Sequence, residues 1–291
     1  MSSNFNNHFE NLLSILVHGI DHIENGTPTK VVIEYNQRTN TKIAMLPEGY
    51  TFNIWLGLDF VPIISHRKMF PYSAAVEMAW FMMGTQDATF MIERNKFWQK
   101  FTEDNNKTIE AAYGYRWRTH FGRDQIRMAI QALILNPTDR RIWISAWDPS
   151  IDGLGMPNQK NVPCPVGFTL NIANGRLNST YVKRSTDIFV GLPYDIMCHA
   201  YLMDAIRHDI DPELKLGNMQ VCLAHPHLYE PHWKTAKESR KHYNPNGPSL
   251  KLPEFSLRFV EGYANQYVDY VKKMCMDLNQ TDFHPLPEII K

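Results

Sequence analysis

At 291 residues, with 44% apolar and 21% charged side chains, the chain can bury a sizeable core and is not a disordered polypeptide. Thirty Lys and Arg balance thirty Asp and Glu. That neutrality argues against a polymer-DNA or RNA binder, which needs a basic face to displace phosphate counterions, but not against a small anion held by a few arginines. No apolar run approaches the ~18 residues of a membrane span, and the first basic residue is Lys30, so no positively flanked secretory signal is expected. The four cysteines (Cys164, Cys198, Cys222 and Cys275) form no CxxC pair or disulfide framework. A reduced, cytoplasmic protein is expected, in which cysteine chemistry would rest on a single thiol.

Phe9, Leu12, Leu13, Leu16 and Ile20 share one helical face, so residues 5–20 predict an amphipathic opening helix. Asn25-Gly26 and Pro28 end it, and Val31 to Tyr35 reads as a strand. Ala74 to Met83 has the continuous apolarity of a buried helix. Arg141 to Trp147 is strand-like, rich in β-branched and aromatic residues. Phe168 to Ile172 and Leu177 to Val182 alternate around Asn174-Gly175, a strong hairpin signal. Gly191-Leu192-Pro193 opens a helix running to about Arg207, with proline at a first-turn position. Met219 to Leu223 is a further strand, and Glu254 to Met276 contains a long C-terminal helix. Loops are expected over Trp147 to Pro163 and Tyr243 to Pro253. Without repeats, Gly/Ser linkers or a shift in composition, residues 1–291 read as a single α/β domain.

Several residues invite a chemical reading beside a plainer one. Gly153-Leu154-Gly155 lacks the third glycine and the preceding strand of a dinucleotide fingerprint, and reads as a loop. His225-Pro226-His227, with His232 nearby, lacks companion metal ligands and reads as structural histidines, so no metal is expected. Glu77 lies either on the exposed stripe of its apolar helix or buried, where its raised pKa would suit acid–base work. Cys164, between Pro163 and Pro165, is either a packed thiol or a nucleophile. Arg184-Ser185-Thr186-Asp187 is either a phosphate clamp or a solvated turn.

Taken in order, the chain carries Arg38-Thr39-Asn40-Thr41, Glu77-Met78-Ala79-Trp80-Phe81 and Tyr113-Gly114-Tyr115-Arg116-Trp117-Arg118. Asp139-Arg140-Arg141, Ser145-Ala146-Trp147 and Pro163-Cys164 follow, then the block Arg184 to Asp195 and finally His227-Leu228-Tyr229. This series resembles the thymidylate synthase family, which includes the nucleotide hydroxymethylases, in collinear order from about residue 8 to residue 235.

The resemblance implies a three-layer α/β fold with a large twisted mixed sheet packed against helices, one sheet face forming a homodimer interface. It implies Cys164 as the nucleophile at C6 of a pyrimidine nucleotide, with Arg184 beside it favouring the thiolate and holding the 5′-phosphate. Arg38 and Ser185 would share that phosphate with Arg140 and Arg141 supplied by the other subunit. His227 and Tyr229 would bind the sugar, Glu77 would manage protons through water, and Tyr113 would assist proton removal at C5. Trp98, Asp187, Val190, Gly191 and Tyr194 would meet the folate, 5,10-methylenetetrahydrofolate.

Asp195 stands where thymidylate synthases carry asparagine, and dCMP hydroxymethylases carry aspartate at that point. A carboxylate accepts from the N4 amino group of cytosine and, with a proton shared at N3, satisfies that edge, whereas asparagine suits uracil. Other departures concern the product. Pro165, not histidine, follows Cys164; Phe97-Trp98-Gln99-Lys100-Phe101 keeps one tryptophan of a pair; Asn161 replaces an apolar folate contact; and Pro285 to Lys291 does not match the family's closing tail. These lean towards capture of the exocyclic methylene by water, hence a dCMP 5-hydroxymethylase. A dCMP or CMP 5-methyltransferase using hydride from the folate, a thymidylate synthase or dUMP hydroxymethylase, and a catalytically silent nucleotide binder are the alternatives.

Overall fold

The computed structural model describes residues 5–37, 39–103, 107–155 and 161–276. The chain opens with helix α1 (Phe5–Glu24), whose buried stripe includes Phe5, Phe9, Leu12, Leu13, Leu16 and Ile20. Four strands follow: β1 (Val32–Asn36), β2 (Thr41–Met45), β3 (Tyr50–Trp55) and β4 (Phe60–Val61). Then come α2 (Pro71–Met83), α3 (Thr89–Arg94), α4 (Tyr113–Tyr115) and α5 (Gln125–Leu135), with a π-helical turn at Arg116–His120 continuing α4. The second half contributes β5 (Ile144–Ser145), β6 (Pro165–Ala173), β7 (Arg176–Lys183), β8 (Thr186–Asp187), α6 (Gly191–Ile210), β9 (Lys215–Leu223) and β10 (Pro226–Tyr229). It closes with α7 (Trp233–Ser239), β11 (Leu250–Lys251), α8 (Leu257–Gly262) and α9 (Ala264–Met276).

The expected large mixed sheet is divided among the described residues. A five-stranded sheet runs β3-β9-β7-β6-β5, with β7 and β9 parallel and the other neighbours antiparallel. A four-stranded sheet runs β1-β2-β10-β8, and β11 pairs with β4 inside the stretch expected to be loop. The β6–β7 hairpin turns on Asn174 and Gly175, at φ 52° and 68°, the left-handed geometry that an Asn-Gly turn supplies cheaply.

Two expected elements are shorter than the sequence suggests. The run Arg141 to Trp147 pairs only at Ile144 and Ser145, because the amides of Ala146 and Trp147 both turn to the Val166 carbonyl and the edge strand leaves the sheet. The C-terminal helix breaks after Gly262, where Tyr263 departs from helical backbone (φ −136°, ψ 43°).

Helix α6 lies on the inner face of the five-stranded sheet and carries Leu192, Ile196, Met197, Leu202 and Met203 into the core. Helix α2 packs across α6 and is apolar nearly all round, as a helix enclosed by others must be. Along β7, period-2 alternation sends Leu177, Ser179, Tyr181 and Lys183 inward towards α6. The opposite face is only half covered: Arg176, Asn178, Thr180 and Val182 lie there, and Trp55 of β3 is 40% exposed.

Candidate active site

Cys164 precedes the first residue of β6 and is half-buried. Its carbonyl accepts from the Arg184 amide at 2.9 Å, which continues the β6–β7 ladder and sets thiol and arginine side by side. A register shift between Pro165 and Gly167 bends the strand there, the usual means of re-aiming a side chain at a sheet edge. The Arg184 guanidinium donates to the carbonyls of Pro163 (2.9 Å) and Val162 (3.1 Å) and lies 5.4 Å from the Trp147 ring. Its fork is thus fixed against the backbone leading to Cys164, with further N–H groups for an anion.

Beside it, the Ser185 hydroxyl is 3.5 Å from His227 Nδ1, and the His227 ring meets Tyr229 edge-on at 5.1 Å. Strand β10 positions both, pairing in parallel with β8. Burial holds the imidazole of His227 below its ordinary pKa, which favours the neutral ring. His225 and His227 direct Nδ1 to the carbonyls of Arg184 and His225.

A second group faces these residues from the helices. Glu77 of α2 turns towards α6, with the Cys198 thiol 3.6 Å from its carboxylate. Burial and the nearby charge of Asp195 push the Glu77 pKa up to about 8, opposed by Cys198 and Lys183. Glu77 is therefore inside the site and not on an exposed stripe. Tyr113 packs at 5.3 Å from Phe81, and burial together with the charges of Cys164 and Asp195 raises its hydroxyl pKa well above the usual value. Gly114 makes this possible: any side chain there would begin 2.0 Å from the Phe81 carbonyl, so only glycine lets α4 lie on α2.

Asp195 of α6 is ion-paired through Oδ2 with Lys183 of β7, whose side chain is only 1% exposed against 17% for Asp195. Tyr181 and His199 stack face to face at 4.4 Å beneath this pair, and His199 Nε2 is 2.8 Å from Ser179 Oγ. Burial lowers the His199 pKa to about 3, with Lys183 adding to the effect, so the ring is neutral. A cavity of about 10 Å³ lies between Asp195, Cys198, His199 and Trp117, about the size that admits one water. His199 and Trp117 line it, and His199 Nδ1 and Trp117 Nε1 have no protein hydrogen-bond partner.

Four of the residues given to the folate, Asp187, Val190, Gly191 and Tyr194, lie at or just before the start of α6, and Trp98 lies apart from them in sequence. Asp187 Oδ1 accepts from the amides of Phe189 (2.9 Å) and Val190 (3.1 Å), shaping the turn into Gly191. A side chain at Gly191 would meet only Asp195, at 3.8 Å, so the turn opens directly beside that carboxylate. Tyr194 carries the Arg67 guanidinium at 5.5 Å, and the half-buried Trp98 packs near Trp80 (6.3 Å) and Phe101 (5.5 Å).

Arg140 and Arg141 are exposed in the turn before β5, where Arg141 is held by Asp139 at 2.9 Å. The Ile172 amide donates to Pro137 in the same turn, so the two arginines sit at the far end of β6, roughly 20 Å of strand from Cys164. They do not join the site of their own chain. Arg38 lies outside the described residues, as does the segment Pro285 to Lys291.

A family model described as thymidylate synthase matches residues 21–285, and the chain belongs to that family. Its domain is a one-carbon transferase acting on a pyrimidine nucleoside monophosphate, methylenetetrahydrofolate being the donor expected throughout the family. Family members typically form dimers.

Glu77 gives a prediction that needs no substrate. The folded carboxyl keeps its proton to about pH 8, whereas an unfolded one releases it near 4.5, so Glu77 lowers folding stability as pH rises between those values. Glu77→Gln should therefore stabilise the fold at pH 8 by about 2 kcal/mol or more and have little effect at pH 4.5. Thermal melts at the two pH values check this. Equal effects at both would show that Glu77 is ionised at neutral pH.

Proposed function

We propose that the protein is a dCMP 5-hydroxymethylase. The single observation that carries the base assignment is Asp195, whose carboxylate faces the site with its Oδ2 already taken by Lys183. An acceptor there meets the N4 amino group of cytosine, whereas uracil O4 would face it with a second acceptor. In this reading Cys164 Sγ bonds to C6, and the electron pair displaced from the C5–C6 double bond makes C5 nucleophilic. Charge developing at N3 is balanced by a proton on N3 facing Asp195. Arg184 and Ser185 hold the phosphate, and His227 and Tyr229 take the sugar hydroxyl.

The folate, held by Trp98, Asp187, Val190, Gly191 and Tyr194, supplies the one-carbon unit and in a methylating enzyme also a hydride. Tyr113, whose burial keeps its hydroxyl protonated, would orient the water that takes the C5 proton and passes it to solvent. Glu77, protonated at neutral pH, would act as a proton donor to the same water network.

The hydroxymethyl outcome is supported by the lining of the cleft. Asn161 donates to the Phe101 carbonyl (2.6 Å) and to the Glu103 carboxylate (2.8 Å), which places a polar pair where an apolar folate contact is expected. In this reading such a pair would hold water beside the folate, available to the carbon to be captured. Asn161→Leu should raise the methyl share of product severalfold, read by mass spectrometry of the nucleotide with dihydrofolate absorbance alongside. An unchanged ratio would remove Asn161 from the account.

The second part of the proposal is the assembly. The half-covered face of the five-stranded sheet would pair with its copy, and Arg140 and Arg141, remote from their own Cys164, would reach the partner's phosphate.

A further inference from the structure

Lysine at the inward end of a core strand is costly, and replacing a buried ion pair by apolar residues is often neutral or stabilising. The Lys183–Asp195 pair therefore calls for an explanation beyond the fold. Its geometry supplies one. The ammonium is buried, 5.7 Å from the Tyr181 ring, while Asp195 is 17% exposed and borders the cavity beside Cys198 and His199. Lys183 is thus paired with Asp195 Oδ2 and, almost wholly buried, offers no exposed donor of its own.

We propose that Lys183 is the positioning residue for base selection: by holding Asp195 from behind, it presents the nucleotide with an acceptor alone and so selects an exocyclic amino group. This rests on the dCMP reading above. It adds that selection is a property of the pair and not of Asp195 alone. Asp195 is also faced by Glu77 from α2, Tyr113 from α4, Cys164 at the head of β6, Tyr181 from β7, and Cys198 and His199 from its own helix. Lys183 is the cation among them that balances Asp195 against Glu77, which Asp195 pushes up and Lys183 pulls down.

The test is calorimetric binding of dCMP and dUMP to the full chain as wild type, Lys183→Met, Lys183→Arg, Asp195→Asn and the Asp195→Asn/Lys183→Met double variant. Lys183→Met should weaken dCMP by at least about tenfold and dUMP by no more than about threefold, and Lys183→Arg should recover most of the loss. In the Asp195→Asn background the same methionine should not weaken dCMP further, since the charge it answers is gone. The pH limb governed by Glu77 should move upward in Lys183→Met, a change that mere loosening of the fold would not produce. A wild type that discriminates dCMP from dUMP, with Lys183→Met doing so equally well, would overturn this proposal and leave the dCMP reading standing. A wild type that favours dUMP would overturn the reading itself and the role of Lys183 with it. Should Lys183→Met fail to fold, the double variant against Asp195→Asn and the arginine variant against wild type decide the question: a loss of dCMP affinity on adding methionine to Asp195→Asn, or no retention by arginine, counts against it.

Discussion

Replacing Cys164 with serine is expected to abolish turnover, by about three orders of magnitude or more, while nucleotide affinity stays within about threefold of wild type. The proposed chemistry demands a thiolate, and the Arg184 guanidinium, fixed against the Pro163 and Val162 carbonyls, is a donor that cannot act as a base for a serine hydroxyl. Binding, in the proposed reading, would draw on Arg184, Ser185, His227, Tyr229 and Asp195, none of which depends on the sulfur. Because Cys164 is only half-buried and serine is nearly isosteric, the melting temperature should hardly move. Calorimetric titration with nucleotide and single-turnover product analysis separate the two effects. Normal turnover by the serine variant would eliminate the covalent adduct at C6, and lost binding would place Cys164 in nucleotide recognition.

Asp195→Asn is expected to shift the ratio of kcat/KM for dCMP over dUMP by about a hundredfold or more towards dUMP. Lys183 makes the direction definite. A neighbouring ammonium draws the amide carbonyl oxygen towards itself, which turns the NH₂ group to the base, where it donates to uracil O4 and opposes the N4 amino group of cytosine. The substitution has a second consequence. Asp195 is one of the groups that raise Glu77, so its neutralisation lets Glu77 ionise at lower pH, and any rate limb that needs the protonated acid should move down. Steady-state kinetics with both nucleotides across pH 6 to 9 read both changes. Unchanged preference for dCMP would mean that the base is selected elsewhere.

Much of this site is legible in the sequence because its parts are local. The Asn-Gly turn, the alternating runs that flank it and the glycine-proline start of α6 each carry their own backbone signal, and together they position Cys164, Arg184 and Asp195. What is not legible depends on which elements meet. Glu77 could lie on either side of its helix until α6 brings Cys198 and Asp195 against it. Asn161 finds Glu103 across 58 residues, a pairing that no spacing rule anticipates. Lys183 reads as an ordinary surface cation, and only strand parity, which puts it in phase with Leu177, Ser179 and Tyr181, betrays that it points inward. The edge strand at Ile144–Ser145 illustrates the opposite error: β-favouring residues from Arg141 to Trp147 outrun the partner available to pair with them.

Incubating the wild-type enzyme with methylenetetrahydrofolate and dCMP, CMP or dUMP, then weighing the nucleotide product while following dihydrofolate absorbance, tests the central claim most directly. Water capture on a cytosine ring predicts a hydroxymethylated dCMP and no dihydrofolate. Methylated dCMP with matching dihydrofolate would contradict the hydroxymethyl outcome while keeping Asp195 as the reader of the base. Modification of dUMP alone would contradict the assignment of Asp195 itself.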